Sequence, residues 1–96
     1  MSDEKPTEPE AALARLLDIM ARLRDPQSGC PWDVKQTMQS LTRYTIEEAY
    51  EAVDAIERGA PDEIKDELGD LLFQIVFYAQ IGNESQQFDF TDIANA

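Results

Sequence analysis

Glu48 and Glu51 in the run EEAYE (residues 47–51), and Glu67 and Asp70 in ELGD (residues 67–70), form two acidic pairs with the same i,i+3 spacing. Each run lies in a segment whose apolar residues return every three or four positions, so each pair is displayed from a helix. Gathered in one partly buried place, four carboxylates repel by several kcal/mol per close pair at an effective dielectric near ~20, and a cation between them relieves that repulsion. Oxygen-only ligands, in a chain with no histidine and with its single cysteine outside the pairs, select a hard ion, Mg2+ with Mn2+ as the substitute, over zinc or copper. Such an ion binds phosphate oxygens, neutralises a polyphosphate and lowers the pKa of water. That is the inventory for hydrolysing a phosphoanhydride. Glu47, or whichever carboxylate stays free of metal, is the candidate to accept the proton of the attacking water. The bland alternative is a solvated helix face, because 20 of the 96 residues are acidic and such pairs arise by chance at that density. The matched placement of the two pairs at the edges of apolar stripes favours the metal reading.

Three helices must position these groups. Thr7 to Glu10 has the form of a capping box with Pro9 in the first turn, and Leu13, Leu16, Leu17, Met20 and Leu23 follow as one apolar stripe, stopped by Asp25 and Pro26. A shaped connection, DPQSGCPWD (residues 25–33), carries two prolines, a glycine and the only tryptophan. Asp33 with Gln36 is expected to cap a short turn there. In it Trp32 either anchors the loop to the core or, with Lys35 and Gln36, meets a nucleotide, the ring on a base and the ammonium on phosphate. A second helix is expected from about residue 42 to residue 58, closed by Gly59 and Pro61, with a buried stripe of Ile46, Ala49, Tyr50, Val53 and Ile56 that Glu48 borders. A third is expected from Pro61 to Gly82 and Asn83, with Glu67 bordering its apolar face in the same way. Glu51 and Asp70 each sit about 60° from their partner carboxylate. The short link makes the two helices an antiparallel hairpin, in which the acidic pairs face one another. Asp89 or Thr91 is expected to cap a further short helix. Phe88, Phe90 and Ile93 beside the terminus need cover, so a fragment that lacks its next helix is expected.

Composition sets the outer limits. Ninety-six residues make one domain near the size at which a single core is marginal, so self-association into at least a dimer is expected. Residues 1–6 read as a flexible arm and 7–96 as the domain. A formal net charge of -12 argues against nucleic acid and anionic membranes as partners. A lone cysteine, Cys30, and the absence of a leader or a long apolar run fit a soluble protein of the reducing cytoplasm.

With those residues identified, the chain resembles the MazG family of nucleoside triphosphate pyrophosphohydrolases, within the all-α NTP pyrophosphatase superfamily. The likeness runs from about Leu13 to the end of the chain. It is carried by GCPWD (29–33), Lys35-Gln36-Thr37, Ser40-Leu41, EEAYE (47–51), ELGDLLFQ (67–74) and FDFTDI (88–93). GCPWD and FDFTDI point to the N-terminal domain of the two-domain members. The resemblance implies an all-α fold: a helical hairpin with an additional N-terminal helix, assembling into a bundle by homo-oligomerisation. It implies Mg2+-dependent hydrolysis of an NTP or dNTP to the monophosphate and pyrophosphate. It puts the metal on Glu48, Glu51, Glu67 and Asp70, with Glu47 matching as well. Two other readings stand beside it: a helical dimerisation or regulatory module that binds metal or nucleotide without appreciable turnover, and a plain acidic interaction domain.

Overall fold

The computed structural model describes residues 5–96. Of the expected arm, residues 1–4 lie outside the described residues, and residues 5 and 6 carry no regular structure. The described residues are all-α, five helices with no strand among them, and they form two compact units, one ending at Lys35 and the other running from Gln36 to Ala96.

In the first unit, α1 spans Pro9–Leu23. Proline at its first position decides where it begins, since the missing N–H has no helical partner there. The N-cap is therefore Glu8, in extended backbone and without a side-chain cap, so the expected Thr7–Glu10 capping box is not made. Met20 is fully buried on the predicted stripe, and Leu13, Leu16, Leu17 and Leu23 are half-buried. The connection that follows is held by its own polar atoms. Asp25 Oδ1 accepts from the backbone N–H of Gln27 (2.8 Å) and of Ser28 (3.0 Å), and these bonds hold its carboxyl below the usual carboxylate range. The Cys30 N–H donates to the Leu23 carbonyl at 2.9 Å. This closure leaves no room at Gly29, where a Cβ would stand 2.3 Å from the Leu23 carbonyl oxygen. Helix α2 spans Pro31–Lys35, three residues ahead of the start expected from an Asp33 cap, so Asp33 lies inside the helix and does not cap it. Arg24 Nη1 donates to the Asp33 carbonyl at 2.8 Å and to that of Val34 at 3.3 Å, supplying partners that so short a helix cannot provide for itself.

The second unit is a long hairpin, α3 (Met38–Arg58) and α4 (Pro61–Glu84), with α5 (Phe90–Asn95) against the end of α4. Helix α3 starts four residues earlier than expected. Thr37 and Ser40 exchange side-chain bonds with each other's backbone N–H, a capping box in which serine replaces the usual Glu or Gln, so the sequence signature is weak. Gly59 ends the helix in the left-handed conformation (φ 71°), as expected for a glycine C-cap. Arg58 then spans the turn, pairing with Asp54 at 3.0 Å and with Glu63. Helix α4 continues through Gly82 to Glu84. Gly82 is buried because the Phe88 ring lies where its side chain would be. Asp89 caps α5, exchanging bonds with Asp92.

One expectation about the hairpin is overturned. Ile46, Tyr50, Val53 and Ile56 are not buried; they are 50% to 72% exposed. The covered face of α3 is Leu41, Ala52 and Ala55, with Thr45 and Glu48 half-buried along it. On a helix of about 100° per residue that face centres close to Glu48 itself, roughly 110° from the large apolar residues. Two alanines allow close approach to α4, and the bulkier residues flank the contact. Leu68 and Leu72 are likewise exposed on α4.

Candidate metal centre

Glu48 and Glu67 stand on the facing sides of α3 and α4, which brings residues 19 positions apart together through a turn of two residues, Gly59 and Ala60. One carboxylate oxygen from each of Glu48, Glu67 and Asp70 lies within 4.8 Å of the others. Asp70 is exposed while the two glutamates are half-buried, so the group opens to solvent along one side. Glu51 is exposed too, and it lies close enough to share a hydrogen bond with Glu67.

Electrostatics at this place are unfavourable for four free carboxylates. Burial pushes the Glu48 carboxyl above its ordinary range, and the charges of Glu51, Asp70 and Glu47 push it further. Glu67 is raised in the same way, by burial first, then by its hydrogen bond with Glu51 and the charges of Glu51, Asp70 and Glu48. Glu48 Oε2 and Glu67 Oε2 are buried and have no hydrogen-bond partner. A buried acceptor without a donor has lost its bonds to water and gained none in return, a cost that grows when the group is charged. A hard cation answers both observations, because it supplies the missing partner and offsets the repulsion. The donor set therefore fits a divalent metal.

The other sequence-designated residues are distributed as follows. Glu47 is exposed and lies outside the close trio, though its charge is felt at Glu48. Trp32 and Lys35 belong to α2 in the first unit; Trp32 is half-exposed (48%), not sealed as a pure anchor would be. Gln36 opens the second unit, its Oε1 accepting from the Ser40 hydroxyl at 2.7 Å. Sequence reasoning passed over Thr45, Gln74 and Tyr78, which meet between α3 and α4. Helical spacing would have flagged them, since Thr45 stands three residues before Glu48, and Gln74 and Tyr78 stand four and eight after Asp70.

Comparison with known proteins identifies the family of the chain. The MazG nucleotide pyrophosphohydrolase domain matches residues 36–96, the whole of the second unit. The nucleoside triphosphate pyrophosphohydrolase of Escherichia coli K12 is 58% identical over 82 residues, covering 85% of this chain and 31% of that protein. The Thermotoga maritima protein named nucleoside triphosphate pyrophosphohydrolase/pyrophosphatase MazG is 50% identical over 78 residues, 81% of this chain and 30% of its own length. A Mycobacterium tuberculosis nucleoside triphosphate pyrophosphohydrolase is 42% identical over 83 residues, 84% of this chain and 26% of its own. The chain thus spans less than a third of the length of these relatives. With a domain match over most of its length and an acidic trio built from that domain's two long helices, the chain belongs to the MazG nucleotide pyrophosphohydrolase family.

Proposed function

We propose that this chain is a Mg2+-dependent nucleoside triphosphate pyrophosphohydrolase domain, cleaving an NTP or dNTP to the monophosphate and pyrophosphate. The observation that carries this reading is the trio of Glu48, Glu67 and Asp70 oxygens within 4.8 Å of one another, two of its members having a buried oxygen without a partner. Glu48, Glu67 and Asp70, with Glu51 beside them, are the residues to hold the ion. When bound, the ion supplies charge neutralisation for the phosphates and acidifies water. Glu47, exposed and outside the trio, is the base for the proton of the attacking water. In the first unit, Trp32 offers an accessible ring for a nucleobase, and Lys35 offers an ammonium for phosphate. In the second unit, Gln36 is a further candidate for nucleotide contact.

A second copy of the chain is the partner we assign to the exposed flank of the hairpin. Ile46, Ala49, Tyr50 and Val53 line a groove of about 400 Å3 on α3. On an antiparallel hairpin, the flank of α4 bearing Leu68 and Leu72 falls on the same side, roughly 110° from Glu67, opposite Glu51 and Asp70. A bundle formed through it leaves the acidic side open. The same flank favours a second reading, a dimerisation module with little turnover. No helix among the described residues is long and apolar enough to cross a membrane, and the lone free cysteine suits a cytoplasmic protein. An acidic chain of net charge -12 makes nucleic acid an unsuitable partner.

Product analysis tests the reading. The chain is incubated with each common NTP and dNTP, with and without Mg2+, and monophosphate plus pyrophosphate is resolved from diphosphate plus phosphate. Metal-dependent release of pyrophosphate is expected. No turnover, in a chain that Mg2+ and nucleotide still protect against heat, would favour the dimerisation module.

A further inference from the structure

Side-chain hydrogen bonds join the two long helices on either side of the carboxylates. At the turn, Arg58 of α3 pairs with Glu63 of α4. Toward the other end, Thr45 Oγ1 is 2.6 Å from the Tyr78 hydroxyl, 3.1 Å from Gln74 Oε1 and 3.1 Å from the Leu41 carbonyl of its own helix. A threonine hydroxyl has one proton and two lone pairs. Its single proton is shared between the Leu41 and Gln74 oxygens, so the Tyr78 phenol is the donor of the 2.6 Å bond. One half-buried atom thus ties the α3 backbone to two α4 side chains. Thr45 stands one turn before Glu48, and Gln74 one turn after Asp70.

We infer that the Thr45–Gln74–Tyr78 junction is a positioning device for the metal carboxylates. It fixes the rotation and axial register at which Glu48 of α3 meets Glu67 and Asp70 of α4. The need for it follows from the surroundings. The covered face of α3 beside Glu48 is Ala52 and Ala55, small residues that give close approach but little resistance to sliding. The carboxylates, when no ion is bound, push the helices apart between the two pins. Directional bonds at Thr45 hold what apolar contact there does not. None of the three residues is assigned to the ion or the substrate; they act through the helices that carry the ligands. This inference rests on the metal reading above.

The test is Mn2+ binding, followed by the electron paramagnetic resonance of the free ion well below each variant's Tm, for Thr45→Val, Thr45→Ser and Tyr78→Phe. Thr45→Val keeps the shape and removes the hydroxyl. It is expected to weaken Mn2+ binding by roughly tenfold, the low end for loss of a group that supports a metal site. Thr45→Ser restores it, and Tyr78→Phe, which removes one bond of the junction, gives a smaller loss in the same direction. Met20→Val, a change to a buried residue of the first unit, lowers Tm without changing Mn2+ affinity. In pyrophosphate release, Thr45→Val raises the Mg2+ needed for half-maximal rate and leaves the nucleotide KM at saturating metal unchanged. Equal Mn2+ affinity in Thr45→Val, Tyr78→Phe and the unaltered chain would overturn the positioning inference while leaving the metal reading intact. Failure of the unaltered chain to bind Mn2+ would overturn both.

Discussion

Glu48 and Glu67 have raised pKa values in the folded chain, and the sign of their effect on stability follows. A carboxyl that holds its proton more tightly when folded contributes stability below its unfolded pKa, near the ordinary value of 4.5, and that contribution is lost as pH rises through the folded value. Without metal, the Tm is expected to fall as pH is raised from about 4.5 toward neutrality; with saturating Mg2+ the fall should flatten or reverse. A thermal melt series in chelator and in Mg2+ measures this, and a metal-free Tm that climbs over the same interval contradicts it. Glu48→Gln removes one charge from the cluster, so the metal-free protein should be as stable or more stable at neutral pH. Hydrolysis should drop by more than the roughly 10–100-fold that loss of a merely supporting group costs. Unchanged turnover would move the site elsewhere. Trp32→Ala should raise KM more than it lowers kcat if the ring only holds the base.

At the scale of the elements, the GCPWD stretch has a structural explanation independent of any ligand. The backbone between α1 and α2 folds back so tightly that Gly29 has the Leu23 and Asp25 carbonyl oxygens where a Cβ would go. Gly29→Ala should destabilise the chain by about 1–3 kcal/mol, as overpacking does, seen as a lower denaturant midpoint with an unchanged slope. A midpoint equal to that of the unaltered chain would mean that the turn relaxes freely. The termini of the helices also explain the boundary errors. Gly59 and Pro61 are strong punctuation and mark the hairpin turn as expected. Thr37 with Ser40 makes a capping box that composition does not advertise, and Pro9 overrides a capping box that composition does advertise.

For the whole molecule, the exposed flank of Ile46, Tyr50, Val53, Leu68 and Leu72 sets the prediction. Sedimentation should find at least a dimer, and Tyr50→Glu should shift it to monomer. Two copies bring together twice the net charge of -12, so association should strengthen as salt is raised from about 0.01 M toward 0.15 M, where the screening length shrinks from about 30 Å to about 8 Å. Dissociation on adding salt in that range would argue for a polar interface instead.

The sequence by itself determined that the chain is helical, that its long helices form a hairpin at Gly59–Pro61, and which acidic residues share helix faces. Those features depend on local periodicity and on a few residues with restricted backbones, and both are written along the chain. Tertiary structure decided which face of each helix is covered. A helical wheel finds the apolar side but not the neighbour, and α3 presents its close-packing side through Leu41, Ala52 and Ala55, leaving the larger stripe beside it exposed. For the same reason Glu48 lies within the helix contact instead of at the border of a buried stripe, where it meets Glu67 and Asp70 with an oxygen that no donor reaches. Thr45 joined Gln74 and Tyr78 only through that packing, because residues 29 and 33 positions apart can be brought to one oxygen by a hairpin's register and by nothing local.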